Sequence, residues 1–134
     1  DEHDCFSDNT HNSHYYDGMG IQNVYTGTYH RLDGSLVTGA SLSDLVREVN
    51  PELDARLNAQ LDASMEALGV MKAKAESSEN PTAFDMMIAP GNEAGARLVT
   101  NAIMALVEQT GSIEQAAREL GIEALSPDDA GHSF

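Results

Sequence analysis

The stretch NPELDARLNAQLDASMEALGVMKAKAE, residues 50–76, decides the fold. Its large apolar residues recur at spacings of three and four, and they are Leu53, Leu57, Leu61, Met65, Leu68 and Met71. That spacing places them on one face of an α-helix. Asn50 suits the position that caps a helix, and Pro51 suits the first helical position. The pattern predicts a helix from Pro51 to about Glu76, about 39 Å long at the usual rise per residue.

A second long helix is expected near the start of the chain. It begins near Asp8, because the short oxygen-bearing side chain of Ser7 or Asp8 can accept a hydrogen bond from the first free backbone N–H groups. Its predicted apolar face contains Ile21, Val24 and Tyr25. These residues again follow at helical spacing, and packing in a helical bundle is the natural way to bury such a stripe.

Two short helices and a third long one complete the helical pattern. One short helix begins at Ser41, and its predicted buried residues are Leu42, Leu45, Val46 and Val49. Another short helix holds Phe84, Met87 and Ile88. The last long helix runs from near Asn92 to Gly121, since glycine commonly follows the end of a helix. Its apolar residues keep one phase across Gly111, which favours a single helix.

Only one segment reads as a possible hairpin, the loop around the turn signal Asp33-Gly34. The sequence therefore predicts an all-α fold, an up-and-down helical bundle. We expect the bundle to span residues 1–122 and a C-terminal tail to span residues 123–134.

The charge of the chain restricts its partners. The 134 residues include 22 acidic and 7 basic ones, for a formal net charge of −15. Nucleic-acid binding depends on Lys and Arg neutralising phosphates, so this composition argues against a nucleic-acid partner. An acidic surface attracts cations and also favours solubility. No apolar stretch approaches the length of a transmembrane segment, and the chain begins at Asp1, which predicts a processed or truncated protein.

The opening segment DEHDCFSDNTHNSHYYDG, residues 1–18, holds three of the five histidines and five acidic residues. In a helix, His11, His14 and Asp17 share one face, and Glu2, His3 and Asp4 could fold back over its first turn. Imidazole and carboxylate groups at such spacing can bind zinc or iron, or act as general acid and base. The alternative is structural: short polar residues before a helix often serve only as caps, and surface histidines often have no ligand.

Several stretches resemble the imelysin family. They are CFSDNTH at residues 5–11, GIQNVYTGTY at 20–29, SLSDLV at 41–46, FDMMIAPGNEAG at 84–95 and AIMALVEQTGSIEQAARELGI at 102–122. The resemblance covers nearly the whole chain. CFSDNTH is long and unusual, which makes the similarity specific.

The resemblance implies a fold and a setting. Imelysin-like proteins are bacterial, periplasmic or associated with the outer membrane, and they are classed as metallopeptidases. Relatives are iron-regulated or take part in iron uptake. Their fold is two helical bundles with a cleft between them, and this chain resembles the C-terminal half. The resemblance thus implies that Ser7, Asp8, Asn9 and His11 line the cleft, and it makes the N-terminal half of the same protein the expected partner.

A metal ion, iron or zinc, is the expected cofactor, with His11, Asp8 and His3 as candidate ligands. One departure limits what the chain can do alone. The family signature G-x-H-x-x-E is missing, because none of the five histidines has Glu three residues later. The signature belongs to the N-terminal half, so we do not expect this chain by itself to be an active peptidase.

Three hypotheses follow. The chain is half of an imelysin-like protein that helps to bind a metal ion or a peptide; it is a fragment of a true zinc-type metallopeptidase; or it is a non-catalytic interaction bundle. A severed half should expose an apolar face, whereas an independent module should not.

Overall fold

A computed structural model describes residues 2–122 of the chain. In chain order the elements are α1 (Thr10–Thr26), β1 (Thr28–His30), β2 (Leu36–Thr38), α2 (Leu42–Val49), α3 (Pro51–Ala75), α4 (Phe84–Met87) and α5 (Glu93–Glu119). The predicted helical bundle is confirmed. The predicted tail, residues 123–134, lies outside the described residues.

The long helix α3 is the centre of the bundle. Its neighbours α1 and α5 both run antiparallel to it: the end of α1 reaches Asp54 and its start reaches Glu76, while Asn50 contacts Glu119 at the far end of α5. α1 and α5 therefore run in the same direction on α3. The leucines of the predicted α3 stripe are buried, and full burial of one such side chain contributes about 1.5–3 kcal/mol.

The core has two clusters along α3. Near the start of α3 the buried residues are Tyr25, Val46, Leu53, Leu57, Leu61 and Ala116. Near its end they are Leu68, Met71, Phe84, Met87 and Ala102. The short helices α2 and α4 each contribute to one cluster, so they close the two ends of the bundle.

Side-chain caps fix where three of the helices begin. The Ser41 hydroxyl accepts from the Asp44 backbone N–H, and the Asn50 and Asn92 side chains accept from the third residue of α3 and of α5. α1 differs from expectation, because it begins at Thr10 rather than near Asp8. Asp8 has φ 53°, in the left-handed region. That conformation cannot continue a right-handed helix, so Asp8 ends the preceding turn and Asn9 takes the N-cap position.

Gly27 connects the end of α1 to the β-hairpin. This residue has φ 65°, and its N–H bonds to the Asn23 carbonyl. Its missing side chain matters too, because a Cβ atom would lie 2.8 Å from the Gly39 carbonyl oxygen. β1 and β2 pair antiparallel, with Tyr29 opposite Val37.

A close approach at Gly18 brings α1 onto α3. A Cβ atom at this position would lie 2.6 Å from the Leu68 Cδ1 atom and 3.4 Å from the Met65 sulfur. A larger residue at position 18 would therefore require the end of the Leu68 side chain to move.

A buried polar cluster, the Asp54 cluster, joins α1, α2 and α3. One carboxylate oxygen of Asp54 accepts hydrogen bonds from the Tyr25 hydroxyl at 2.9 Å, the Ser43 hydroxyl at 2.6 Å and the Asn58 amide at 2.9 Å. The other oxygen lies 3.8 Å from the Arg47 guanidinium. Burial, followed by the hydrogen bond to Asp54, raises the pKa of the Tyr25 hydroxyl.

Several apolar residues on the predicted helical stripes are 40% exposed or more. On α1 and α2 they are Ile21, Val24, Leu42, Leu45 and Val49, and on α5 they include Ile103 and Val107. The prediction of a fully buried stripe is therefore wrong for these residues. The physical reason is that α1 and α5 both pack on α3, and residues 2–122 supply no further long helix beside them, so apolar side chains at the edges of these contacts stay exposed. Among the helices of residues 2–122, none combines the length and the apolar character of a membrane span.

Candidate functional site

The segment before α1 folds back over the first turn of that helix. The Asp4 backbone N–H donates to the Thr10 hydroxyl at 3.0 Å, and the Ser13 hydroxyl donates to the Asp4 carboxylate. Thr10 is fully buried. These bonds hold the segment against the helix, and they leave Ser7 and Asp8 exposed at its rim.

His11 lies at the centre of this end of the bundle. Its side chain is only 10% exposed, and its Nε2 atom lies 3.5 Å from the Glu76 carboxylate, which comes from the end of α3. The Nε2 atom is also 3.2 Å from the Asn12 amide nitrogen. The Nδ1 atom is buried and has no hydrogen-bond partner. A buried polar atom without a partner has a free-energy cost, which marks this imidazole as unusual.

Three further polar groups surround the imidazole, and together with His11 they form the His11 cluster of His11, Asn12, Lys72 and Glu76. The Glu76 carboxylate accepts from the Lys72 ammonium at 2.7 Å and from the Asn12 amide at 3.0 Å. Lys72 also donates to the Asn12 amide oxygen. The hydrogen bond from Lys72, then that from Asn12, lowers the pKa of the Glu76 carboxyl. Glu76 is therefore ionised at neutral pH, and it faces the buried imidazole with a negative charge.

The Lys72 ammonium lies near two aromatic rings. Its ammonium lies 5.8 Å from the ring centroids of both Tyr15 and Tyr16, a distance at which a cation is attracted to a ring face. Beside it an open polar cavity of 440 Å³ is lined by Asn9, Asn12, Ser13, Tyr16, Asp17 and Lys72. The His11 cluster thus borders a surface recess that a polar ligand can reach.

A row of rings lies on the neighbouring side of α1. The His3 and His14 ring centroids are 5.1 Å apart, and His14 is 5.4 Å from Phe84. Burial, and then the nearby imidazole of His3, lowers the pKa of His14. His14 is therefore neutral at pH 7 and behaves as an aromatic packing group.

The predicted site residues lie close in space but in different surroundings. Asn9 borders the polar cavity, and His11 is buried beside it. Within residues 2–122, no hydrogen bond or ion pair joins His11 to Asp8 or His3, and no group of three or more His, Cys, Asp or Glu side chains is placed to hold a metal ion. The described residues therefore offer one imidazole and one carboxylate, His11 and Glu76, which is less than a complete metal site.

Sequence reasoning missed Asn12, Lys72 and Glu76 as members of the site. Glu76 and Lys72 lie more than 60 residues from His11, and they reach it only because α1 and α3 are antiparallel. A signal was present: Lys72 and Glu76 are four apart, so both point to one side of the last turn of α3.

A family model described as imelysin, peptidase family M75, matches residues 1–113. The match includes the segment before α1, the His11 cluster and most of α5. None of the curated proteins compared with the chain is similar to it.

Proposed function

Because the chain belongs to the imelysin family, we propose that it is one half of an extracytoplasmic imelysin-like protein, linked to iron uptake or to metal and peptide binding. In this proposal residues 7–11 and the end of α3 line a cleft that is shared with the N-terminal half of the same protein. His11 supplies the imidazole of that cleft and Glu76 supplies a carboxylate.

A single observation carries the proposal: the imidazole of His11 is nine-tenths buried, and its Nδ1 atom has no partner. A histidine that served only for packing could turn toward a partner or be replaced by an apolar residue. Its other nitrogen faces an ionised carboxylate, and imidazole with carboxylate is a ligand pair suited to zinc or ferrous iron. The pair is only part of a metal site, so we propose that the N-terminal half contributes the remaining ligands.

Ser7, Asp8 and His3 are proposed to act at the rim of this cleft. Ser7 and Asp8 project from a segment that backbone and side-chain hydrogen bonds fix in place. Asp8 could approach a ligand from the solvent side. His3 lies beside His14 rather than beside His11, so its participation requires that the ligand extend toward that ring pair.

The exposed apolar residues support a partner half. Val24 is 68% exposed and Ile103 is 52% exposed, and together with their neighbours they form a surface that a covering bundle would remove from water. In this proposal the N-terminal half carries the G-x-H-x-x-E signature, as the resemblance implies. Peptidase activity is not part of the proposal for this chain.

The proposed setting is the periplasm or the outer membrane. Imelysin-family proteins are generally extracytoplasmic, and the net charge of −15 raises the local concentration of cations around the chain. An acidic protein of this kind is suited to capturing a metal ion outside the cytoplasm.

Calorimetric titration with Zn²⁺ and, under anaerobic conditions, Fe²⁺ tests the metal proposal. We expect His11→Ala and Glu76→Gln each to weaken binding by about tenfold or more, as the loss of a ligand or of its supporting carboxylate usually does. Glu76→Gln is the safer variant, because Glu76 is at the surface. The control is His30→Ala, which removes an exposed imidazole from the hairpin. Equal affinity in the wild type, His11→Ala and Glu76→Gln would exclude both residues as ligands.

A further inference from the structure

Three buried oxygen atoms of α3 and α5 have no hydrogen-bond partner among residues 2–122. They are the Oε1 atoms of Gln60 and Gln109 and the Oγ atom of Ser64. Ser64 and Gln109 are each only 2% exposed. A buried polar atom that stays unpaired has a free-energy cost, so native proteins pair nearly all such atoms with protein groups or with ordered water.

The register of the two helices places these side chains at one level of the bundle. The Gln60 amide nitrogen donates to the Glu108 carboxylate at 3.3 Å, which sets Gln60 beside Glu108 and its neighbour Gln109. Ser64 follows Gln60 by four residues, so both lie on one face of α3. Helix side chains lean toward the N-terminus of their helix, and in the antiparallel α5 this direction carries the Gln109 amide toward the level of Ser64.

The same level is where the apolar core is interrupted. On α3 the core cluster near the start of the helix ends at Leu61, the cluster near its end begins at Leu68, and Ser64 lies between them. On α5, Gln109 lies midway between the buried alanines of the two clusters. Polar side chains from both helices therefore meet at the break between the clusters.

The three oxygens match the hydrogen-bonding capacity of one water molecule. A side-chain amide oxygen only accepts, so the two glutamine Oε1 atoms cannot bond to each other, whereas a hydroxyl both donates and accepts. A water molecule can donate to both amide oxygens and accept from the Ser64 hydroxyl, and buried waters typically make about three hydrogen bonds. The three side chains are neutral, so a buried cation would have no carboxylate among them to balance its charge.

We propose that a buried water molecule is a fixed component of the α3–α5 contact, where it bridges Gln60, Ser64 and Gln109. The water holds the two helices in register. A shift of α5 by one turn would set the Gln109 amide against the leucines of a core cluster, where it has no polar partner. This inference depends neither on the His11 cluster nor on the N-terminal half.

Water-selective NOE and ROE spectra of the 134-residue chain test the site directly. We expect cross-peaks between water and the side-chain amide protons of Gln60 and Gln109, with the sign of a long-lived contact in both spectra. The ROE sign separates such a contact from proton exchange. The control is the Gln22 side-chain amide, which bonds to Asp62 at the surface and should show no long-lived water. Wild-type spectra without these cross-peaks would overturn the proposal.

Gln109→Met removes one of the proposed partners and keeps a side chain of similar length that can fill an irregular gap. The cross-peak between water and the Gln60 amide protons should be lost in this variant, because the water keeps too few partners. Circular dichroism establishes that the variant is folded. A Gln60 cross-peak that persists unchanged would show that the water is not bridged to Gln109, which contradicts the proposal.

Ser64→Ala gives a test whose sign depends on the water. If the water is present, the variant loses a hydrogen bond; if the contact is dry, the variant removes a costly unpaired hydroxyl and gains stability. Thr100→Ala, at an exposed position of α5, reports the gain from the helix propensity of alanine. We expect the urea midpoint of Ser64→Ala to lie about 0.3–1 M below that of Thr100→Ala. A midpoint equal to or above that of Thr100→Ala would overturn the proposal.

Discussion

Two polar clusters join α1 to α3, one near each end of α1, and they differ in how completely their buried atoms are hydrogen-bonded. In the Asp54 cluster a single buried carboxylate oxygen accepts three hydrogen bonds. In the His11 cluster the buried imidazole has one nitrogen without a partner, and its neighbours are open to solvent. A complete buried network stabilises the fold. An incomplete one beside a recess is available for a ligand.

The largest expected effect on stability comes from the Asp54 cluster. Asp54→Ala removes the acceptor of the buried Tyr25 hydroxyl and of the Ser43 hydroxyl, so we expect a loss of about 2–5 kcal/mol in the free energy of unfolding. Urea denaturation measures it. Asp62→Ala is the control, because the exposed Asp62 carboxylate lies on the same helix and accepts a surface hydrogen bond from the Gln22 amide. A loss no larger than that of the control would contradict a stabilising role for the network.

Tyr25→Phe tests one bond of the same cluster, with an expected loss of about 1 kcal/mol. The raised pKa of Tyr25 also gives a pH dependence. The folded protein holds this proton more tightly than the unfolded chain does, so the contribution is complete below the ordinary tyrosine pKa of 10.0 and is lost as the pH rises above it. Urea midpoints between pH 8 and 11 should fall less steeply in Tyr25→Phe than in the wild type. Tyr29→Phe, on the hairpin, should retain the wild-type slope.

His14→Gln tests the rings beside the His11 cluster. The lowered pKa of His14 means that the unfolded chain binds this proton more readily, so its contribution is present above the ordinary value of 6.5 and is lost as the pH falls below it. The wild type should lose stability between pH 7 and 5, and His14→Gln should lose less. Thermal unfolding at several pH values measures the slopes. An unchanged slope would show that His14 is not buried in solution, and His30→Gln is the control.

The smallest effect on stability is expected for Glu76→Gln, although its effect on metal affinity should be large. Glu76 is at the surface, so the loss in unfolding free energy should be well below that of Asp54→Ala. Because Lys72 lowers the pKa of Glu76, its contribution is present above the ordinary value of 4.5 and is lost as the pH falls through the lowered pKa. Acid unfolding should therefore be slightly less steep in the variant. A large loss of stability at pH 7 would show that the His11 cluster stabilises the fold. The Asp54 cluster and the His11 cluster would then not differ in role.

The sequence predicts the helices well because their signals are local. The α3 stripe from Leu53 to Met71, the Ser41 and Asn50 caps and the Asp33-Gly34 turn all act within a few residues, and the structure has a helix or hairpin at each. The family resemblance, carried by CFSDNTH and the later motifs, is also confirmed. α1 begins at Thr10, two residues after Asp8, because Asp8 has the left-handed φ of 53°, and no local motif in the sequence signals that conformation.

Local patterns could not give the burial of apolar faces or the members of the site. Periodicity shows that Ile21 and Val24 share a face of α1, but only the number of neighbouring helices decides whether that face is covered. Asn12 meets Glu76 and Lys72 through the antiparallel packing of α1 on α3, which no short motif encodes. The roles of Ser7, Asp8, Asn9 and His3 as cleft residues or ligands stay predictions.

The glycine at position 18 leaves room for the Leu68 side chain of α3 against α1. His14 and Asp17 lie on the same helix within a turn of it; Asp17 lines an apolar cavity of 460 Å³, and His14 lines another of 430 Å³. In Gly18→Ala the new methyl group would lie 2.6 Å from the Leu68 Cδ1 atom, so the end of the Leu68 side chain, which lines the cavity beside His14, would have to move.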